Sequence, residues 1–263
     1  MNYDIIEKNG REKGYSLGLI LSLLLMFLLP NISSCGLMGY VALYDPENYI
    51  YFADPTSVFY KAMMEKGVFL CQAAGYVGTI GCFLILFKSI YKQDLIEFKK
   101  HWLKNIIIVV VSFGIMYLMT YLTDIIFKHF GIPVTSDNQE SIEEAIFSSV
   151  LIYVAFTVTI LAPFVEETIF RTMLFGTIEK RLKWPKVVAI IISTIIFSLI
   201  HLTTEIQLFI KDPSNAIYLL SFFLYMPLAL MLSLGYHYSK NNFFVVFLIH
   251  LLNNTLSLIS ILS

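Results

Sequence analysis

Charge is scarce in this chain of 263 residues: Asp, Glu, Lys and Arg make up 14% of it, against about 25% in a typical soluble domain. Hydrophobic residues reach 57%. With 18 basic and 19 acidic side chains the molecule cannot clothe a water-soluble surface of its size, so a soluble enzyme and a disordered tail are both excluded. Cysteine is scarcer still. Cys35, Cys71 and Cys82 form neither an even set nor a CxxC pair, which argues against a disulfide scaffold or a zinc knuckle and leaves them as packing residues. A basic stripe is missing and the formal net charge is -1, so no nucleic-acid partner is expected. Internal repeats and low-complexity tracts are absent as well.

Long apolar runs are what the chain has in abundance. A helix that crosses a bilayer needs about 20 mostly apolar residues, and the sequence predicts about seven such spans, at 16–34, 67–87, 105–127, 146–170, 187–203, 216–236 and 243–262. An eighth fits only as a hidden or re-entrant segment. Lys61, Lys66, Lys128 and Lys211 fall on one side of these spans, Arg171 lies inside one, and the other 13 of the 18 Lys and Arg fall on the opposite side. The positive-inside rule then makes the N-terminus cytoplasmic. The expected fold is an all-α, polytopic transmembrane helix bundle in the cell membrane, with the lipid bilayer as its first partner.

Trp102 and Trp184 stand in the basic loops, where amphipathic rings favour the headgroup layer. The segment 35–66, with Tyr40, Tyr44, Tyr49, Tyr51, Phe52, Phe59 and Tyr60, reads as an interfacial loop. Ser141 and Glu144 have the spacing of a capping box at a helix start. The apolar stretch from Leu17 to Leu29, followed by Ile32-Ser33-Ser34-Cys35, has the outline of a lipoprotein signal, but six further spans already hold the chain in the membrane.

Four charged residues fall within the predicted spans: Asp124, Glu166, Glu167 and Arg171. Each costs roughly 3 kcal/mol at mid-bilayer on insertion scales, which makes a cluster of them a functional hypothesis by default. Asp124 is near a span end, where that cost falls. The other three lie within six residues on one helix. Glu167 and Arg171, at i and i+4 with the carboxylate N-terminal, are spaced to pair, whereas Glu166 points about 100° away. A carboxylate with no partner in low dielectric suits a general base or acid. The bland alternative is a structural Glu–Arg pair beside a wet crevice. His201 and His250 add to the cluster: Phe197 shares a face with His201, and Asn254 with His250. At 1.5 Å per residue, Glu166 and His201 lie about 20 Å from the basic ends of their helices and His250 about 12 Å, so tilted helices can bring all three into one layer.

A carboxylate pair followed by Arg (Glu166, Glu167, Arg171), then FxxxH (Phe197 to His201), then HxxxN (His250 to Asn254), on successive apolar helices, resembles the CPBP intramembrane proteases, also called the Abi or type II CAAX prenyl endopeptidase group. The resemblance covers about residues 146–254, within a core at 136–263; the helices of 1–135 carry no motif. One departure is Thr172, where the family often has Gly. The resemblance implies hydrolysis of a peptide bond in a membrane-associated peptide or protein substrate. Glu166 would activate water, His201 would hold it, His250 and Asn254 would stabilise the oxyanion, and Glu167 and Arg171 would orient the site. It also favours a bacterial member acting in peptide processing or bacteriocin self-immunity.

His201, His250 and either Glu166 or Glu167 make a set of the kind catalytic zinc uses, although the spacing is not HExxH. A metal-free glutamate mechanism fits the same residues and is slightly favoured. Two other classes compete with the protease. One is a non-catalytic membrane immunity or scaffold protein that binds a peptide partner. The other is a small ion-coupled transporter, against which stands the lack of paired Gly/Pro-interrupted segments.

Overall fold

The computed structural model describes residues 3–44, 58–132, 151–213 and 216–263, and among them every regular element is helical. The nine helices are α1 (Tyr3–Tyr44), α2 (Val58–Leu86), α3 (Lys88–Lys100), α4 (Trp102–His129), α5 (Leu151–Arg181), α6 (Lys186–Ile200), α7 (Thr203–Lys211), α8 (Phe222–Tyr238) and α9 (Phe243–Leu262). Five helices are long and apolar enough to cross a membrane, and up to seven spans result if each of two bent pairs, α2 with α3 and α6 with α7, makes one crossing. The protein is therefore a multi-pass membrane protein, with all seven predicted spans represented.

Their limits differ from expectation in three places. α1 does not stop at residue 34 but runs on to Tyr44, so Cys35 lies exposed on a helix and the first part of the expected aromatic loop is helical. The fourth span continues past 170 to Arg181, which takes Lys180 and Arg181 out of a loop and sets Glu166 near the middle of a helix. The fifth stops at Ile200, just before His201. The rest of the aromatic loop up to 57 and the capping box at Ser141 and Glu144 fall outside the described residues.

α1 and α2 pack where two backbone peculiarities meet. Pro30 removes a helical donor inside α1, and Gly75 of α2 lies so close that a Cβ there would sit 2.6 Å from the Pro30 backbone. Close to this contact, Thr79 donates to the Leu25 carbonyl at 3.3 Å. α2 then bends by 83° into α3. Helical spacing puts Phe87, Tyr91, Asp94 and Phe98 on one face, turned toward the bundle, and leaves Lys88, Lys92 and Lys99 exposed.

α3 fixes the start of α9. The Asp94 carboxylate accepts the Phe243 N–H at 2.9 Å, and its carbonyl accepts from Asn242 Nδ2 at 2.7 Å. Asn242 is itself the N-cap of α9, accepting the Phe244 N–H at 3.0 Å. An aromatic cluster seals the junction: the Phe243 ring lies 5.0 Å from Tyr91 and 4.9 Å from Phe164 of α5.

α5 is not a plain α-helix. It passes through π-helical segments at Thr157–Leu161, Thr168–Phe175 and Thr177–Arg181, with an α-helical stretch, Ala162–Glu167, between the first two. π turns concentrate at functional sites. α1 packs along the far end of α5, where Gly176 leaves room for the Tyr15 ring: a Cβ there would lie 2.6 Å from it. Lys180 Nζ meets the Tyr15 hydroxyl at 3.3 Å.

Candidate active site

Glu166 and Glu167 end the α-helical stretch of α5 and Arg171 lies one turn on, all three buried. Arg171 Nε stands 3.3 Å from Glu167 Oε2, with both side chains fully enclosed, as the i, i+4 spacing requires. The guanidinium also binds the neighbouring helices, donating to Ser193 Oγ of α6 at 3.3 Å and to the Ala229 carbonyl of α8 at 3.4 Å. Ser193 in turn donates to the Phe170 carbonyl at 3.0 Å. The Phe197 ring lies 4.5 Å from the guanidinium carbon, a cation–π distance. One arginine thus joins α5, α6 and α8 around the buried carboxylate.

Glu167 has a second partner. Its Oε1 accepts from His250 Nδ1 of α9 at 2.8 Å, because a carboxylate paired with arginine offers only acceptors. His201, at the 71° break between α6 and α7, has Nδ1 2.8 Å from the Phe197 carbonyl, which also can only accept. Both imidazoles therefore carry their proton on Nδ1, and both Nε2 atoms face Glu166: Oε2 is 3.8 Å from His201 Nε2 and 3.9 Å from His250 Nε2. That Glu166 oxygen is buried and, among the described residues, has no hydrogen-bond partner.

Five of the six predicted site residues are thus gathered: Glu166, Glu167, Arg171, His201 and His250. Asn254 is placed differently. Its Nδ2 donates to the Val158 carbonyl in the first π segment at 2.9 Å, and its Oδ1 accepts from Asn253 at 2.9 Å, so it ties α9 to α5. Phe197 packs on His201 as expected, with ring centroids 4.6 Å apart. Thr172 is buried. Asp124 is half-buried toward the end of α4, and Trp102 and Trp184 are exposed.

The His₂Glu set is assembled, yet among the described residues no group of three or more His, Cys, Asp or Glu is arranged to hold a metal ion. The 3.8 and 3.9 Å separations suit hydrogen bonding through a bridging water.

Two further residues pack beside the site and carried little sequence signal. Tyr91 of α3 donates to Thr168 Oγ1 at 2.8 Å, and Thr168 passes its own proton to the Phe164 carbonyl at 2.8 Å; only the shared face with Phe87 and Phe98 hinted that Tyr91 turns inward. Tyr225 of α8 lays its ring 5.0 Å from that of His201.

Residues 145–256 match the family model of the Rce1-like type II CAAX prenyl endopeptidases. No curated protein and no solved structure matches the chain significantly. The matched stretch contains all six predicted site residues and the whole imidazole–carboxylate cluster. Over this stretch the chain is similar to the Rce1-like type II CAAX prenyl endopeptidases, the group its three motifs resemble.

Proposed function

We propose that this protein hydrolyses a peptide bond within or at the edge of the bilayer with a water activated by Glu166. The observation that carries the reading is the convergence of the His201 and His250 Nε2 atoms on one oxygen of Glu166. A water between Glu166 and His201 gives one proton toward each acceptor, which aims its oxygen lone pair at a substrate carbonyl. As the C–O bond forms, Glu166 takes the proton.

His250 resembles the histidine of a catalytic dyad, since Glu167 behind its Nδ1 stabilises the imidazolium and fixes its orientation. In the protonated form its Nε2–H serves the oxyanion, a role worth about 3 to 4 kcal/mol per donor elsewhere, and the same proton is at hand for the leaving amine. Arg171 holds Glu167 in place by ion pairing. Asn254, engaged by the Val158 carbonyl, contributes by holding α9 in place. The substrate is a membrane-associated peptide or protein, and peptide processing or bacteriocin self-immunity is the corresponding role.

Mass spectrometry of peptide termini from membranes and medium tests this, comparing cells with the unaltered protein and cells with Glu166→Gln at equal abundance. Termini that disappear in the variant are expected, and their sequences name the substrate. Unchanged termini, in cells where deleting the protein still has a phenotype, would point to a binding or scaffold role.

A further inference from the structure

We infer that Tyr225 is a positioning residue for His201, setting the imidazole by ring stacking from a neighbouring helix. The catalytic consequence rests on the proteolytic reading; the stacking does not. His201 follows the last residue of α6 and precedes a 71° change of direction, so the helix does not continue beyond it to brace its side chain. The hydrogen bond to the Phe197 carbonyl anchors Nδ1 and leaves the ring plane to be set by packing. Two rings provide that packing at shallow angles: Phe197 at 4.6 Å and 33°, and Tyr225 at 5.0 Å and 30°. Both are tilted ring pairs within the centroid range at which aromatic contacts add to simple burial.

The two rings differ in what they report. Phe197 is on the same helix as His201 and moves with it. Tyr225 is on α8, and Ala229, one helical turn away on the same face, accepts from Arg171 of α5. Arg171 and Glu166 share α5, so Tyr225 is held in register with the general base. The stack therefore fixes His201 relative to Glu166, across two helices, with no hydrogen bond between them.

The test uses the full chain in lipid bilayers with isotope-labelled histidine, and the His201 signals are identified by their loss in His201→Gln. In the unaltered protein, through-space contacts between the Tyr225 ring and the His201 imidazole are expected, with upfield ring-current shifts and one sharp set of signals. Tyr225→Phe should preserve these features. Tyr225→Leu should lose the share of the upfield shift that Tyr225 adds to that of Phe197, and broaden or double the His201 signals. With a farnesylated CAAX peptide as probe, the Leu variant should lose about three- to tenfold in kcat, the range of one aromatic pair, with KM unchanged, while Phe restores the rate. Absence of the contact in the unaltered protein overturns the inference, as do His201 signals that are the same in Tyr225→Leu. A Leu variant that lacks that share of the ring-current shift yet cleaves at the full rate also overturns it. The spectral arms need no substrate, so they decide the stacking even if the peptide is not cleaved.

Discussion

Two helices of similar length, α4 and α5, solve opposite problems. Of the most apolar stretch of α4 only 17% is buried inside the protein, whereas for α5 the share is 50%. α4 turns Ile107, Val110, Val111, Tyr117 and Leu118 outward and can leave their solvation to lipid. α5 carries Glu166, Glu167 and Arg171, which lipid solvates badly, and every one of them is enclosed by side chains of α6, α8 or α9. The lesson is that a bilayer tolerates an apolar helix with few neighbours, while a polar helix must bring its own solvent in the form of other helices. Removing one member of such a set leaves the others buried and uncompensated.

The largest expected effect comes from the chemistry itself. Glu166→Gln should lower cleavage by about 10²- to 10⁴-fold, the usual worth of a general base, with thermal unfolding little changed, because Glu166 holds no helix. Arg171→Met attacks the enclosure instead. It strands Glu167 in the interior and should cost about 3 to 5 kcal/mol, seen as a lowered unfolding temperature in detergent and reduced accumulation. Gly176→Ala drives a methyl group toward the Tyr15 ring and should cost about 1 to 3 kcal/mol as an overpacked contact; a neutral result would show that α1 yields at this point. Asn242→Ala removes the cap of the helix that presents His250 and should cost about 1 kcal/mol. At the bottom of the scale, Val110→Ala on lipid-facing α4 should stay within about 0.5 kcal/mol. If Val110→Ala cost as much as Arg171→Met, the contrast between the two helices would be broken.

Much of this was legible in the sequence, for physical reasons. Apolar runs mark spans because a bilayer demands them, and Glu167 with Arg171 reads as a pair because helical spacing is fixed. The meeting of Glu166, His201 and His250 followed from approximate depths alone. What stayed hidden depended on contacts between distant segments. Asn254 shares a helix face with His250, but its amide is taken by a carbonyl of the π turn, which no periodicity announces. Tyr225 looked like an ordinary apolar-span aromatic and Tyr91 lay outside the predicted spans, until neighbouring helices placed them. The end of α6 was set about one turn too late because no Gly or Pro marks residues 201–203, where the chain turns.

The π turn at Thr157–Leu161 has a consequence for how this helix tolerates change. A π turn closes its hydrogen-bonded ring over five residues where an α turn uses four, so it holds one residue of slack just ahead of the buried carboxylates. A length change of one residue upstream can be taken up there by converting between the two kinds of turn, without rotating Glu166 and Glu167 about the axis. The same change within Ala162–Glu167 would swing them by about 100° toward the wrong neighbours. The helix is thus divided into a part whose length is free to drift and a part whose phase is locked.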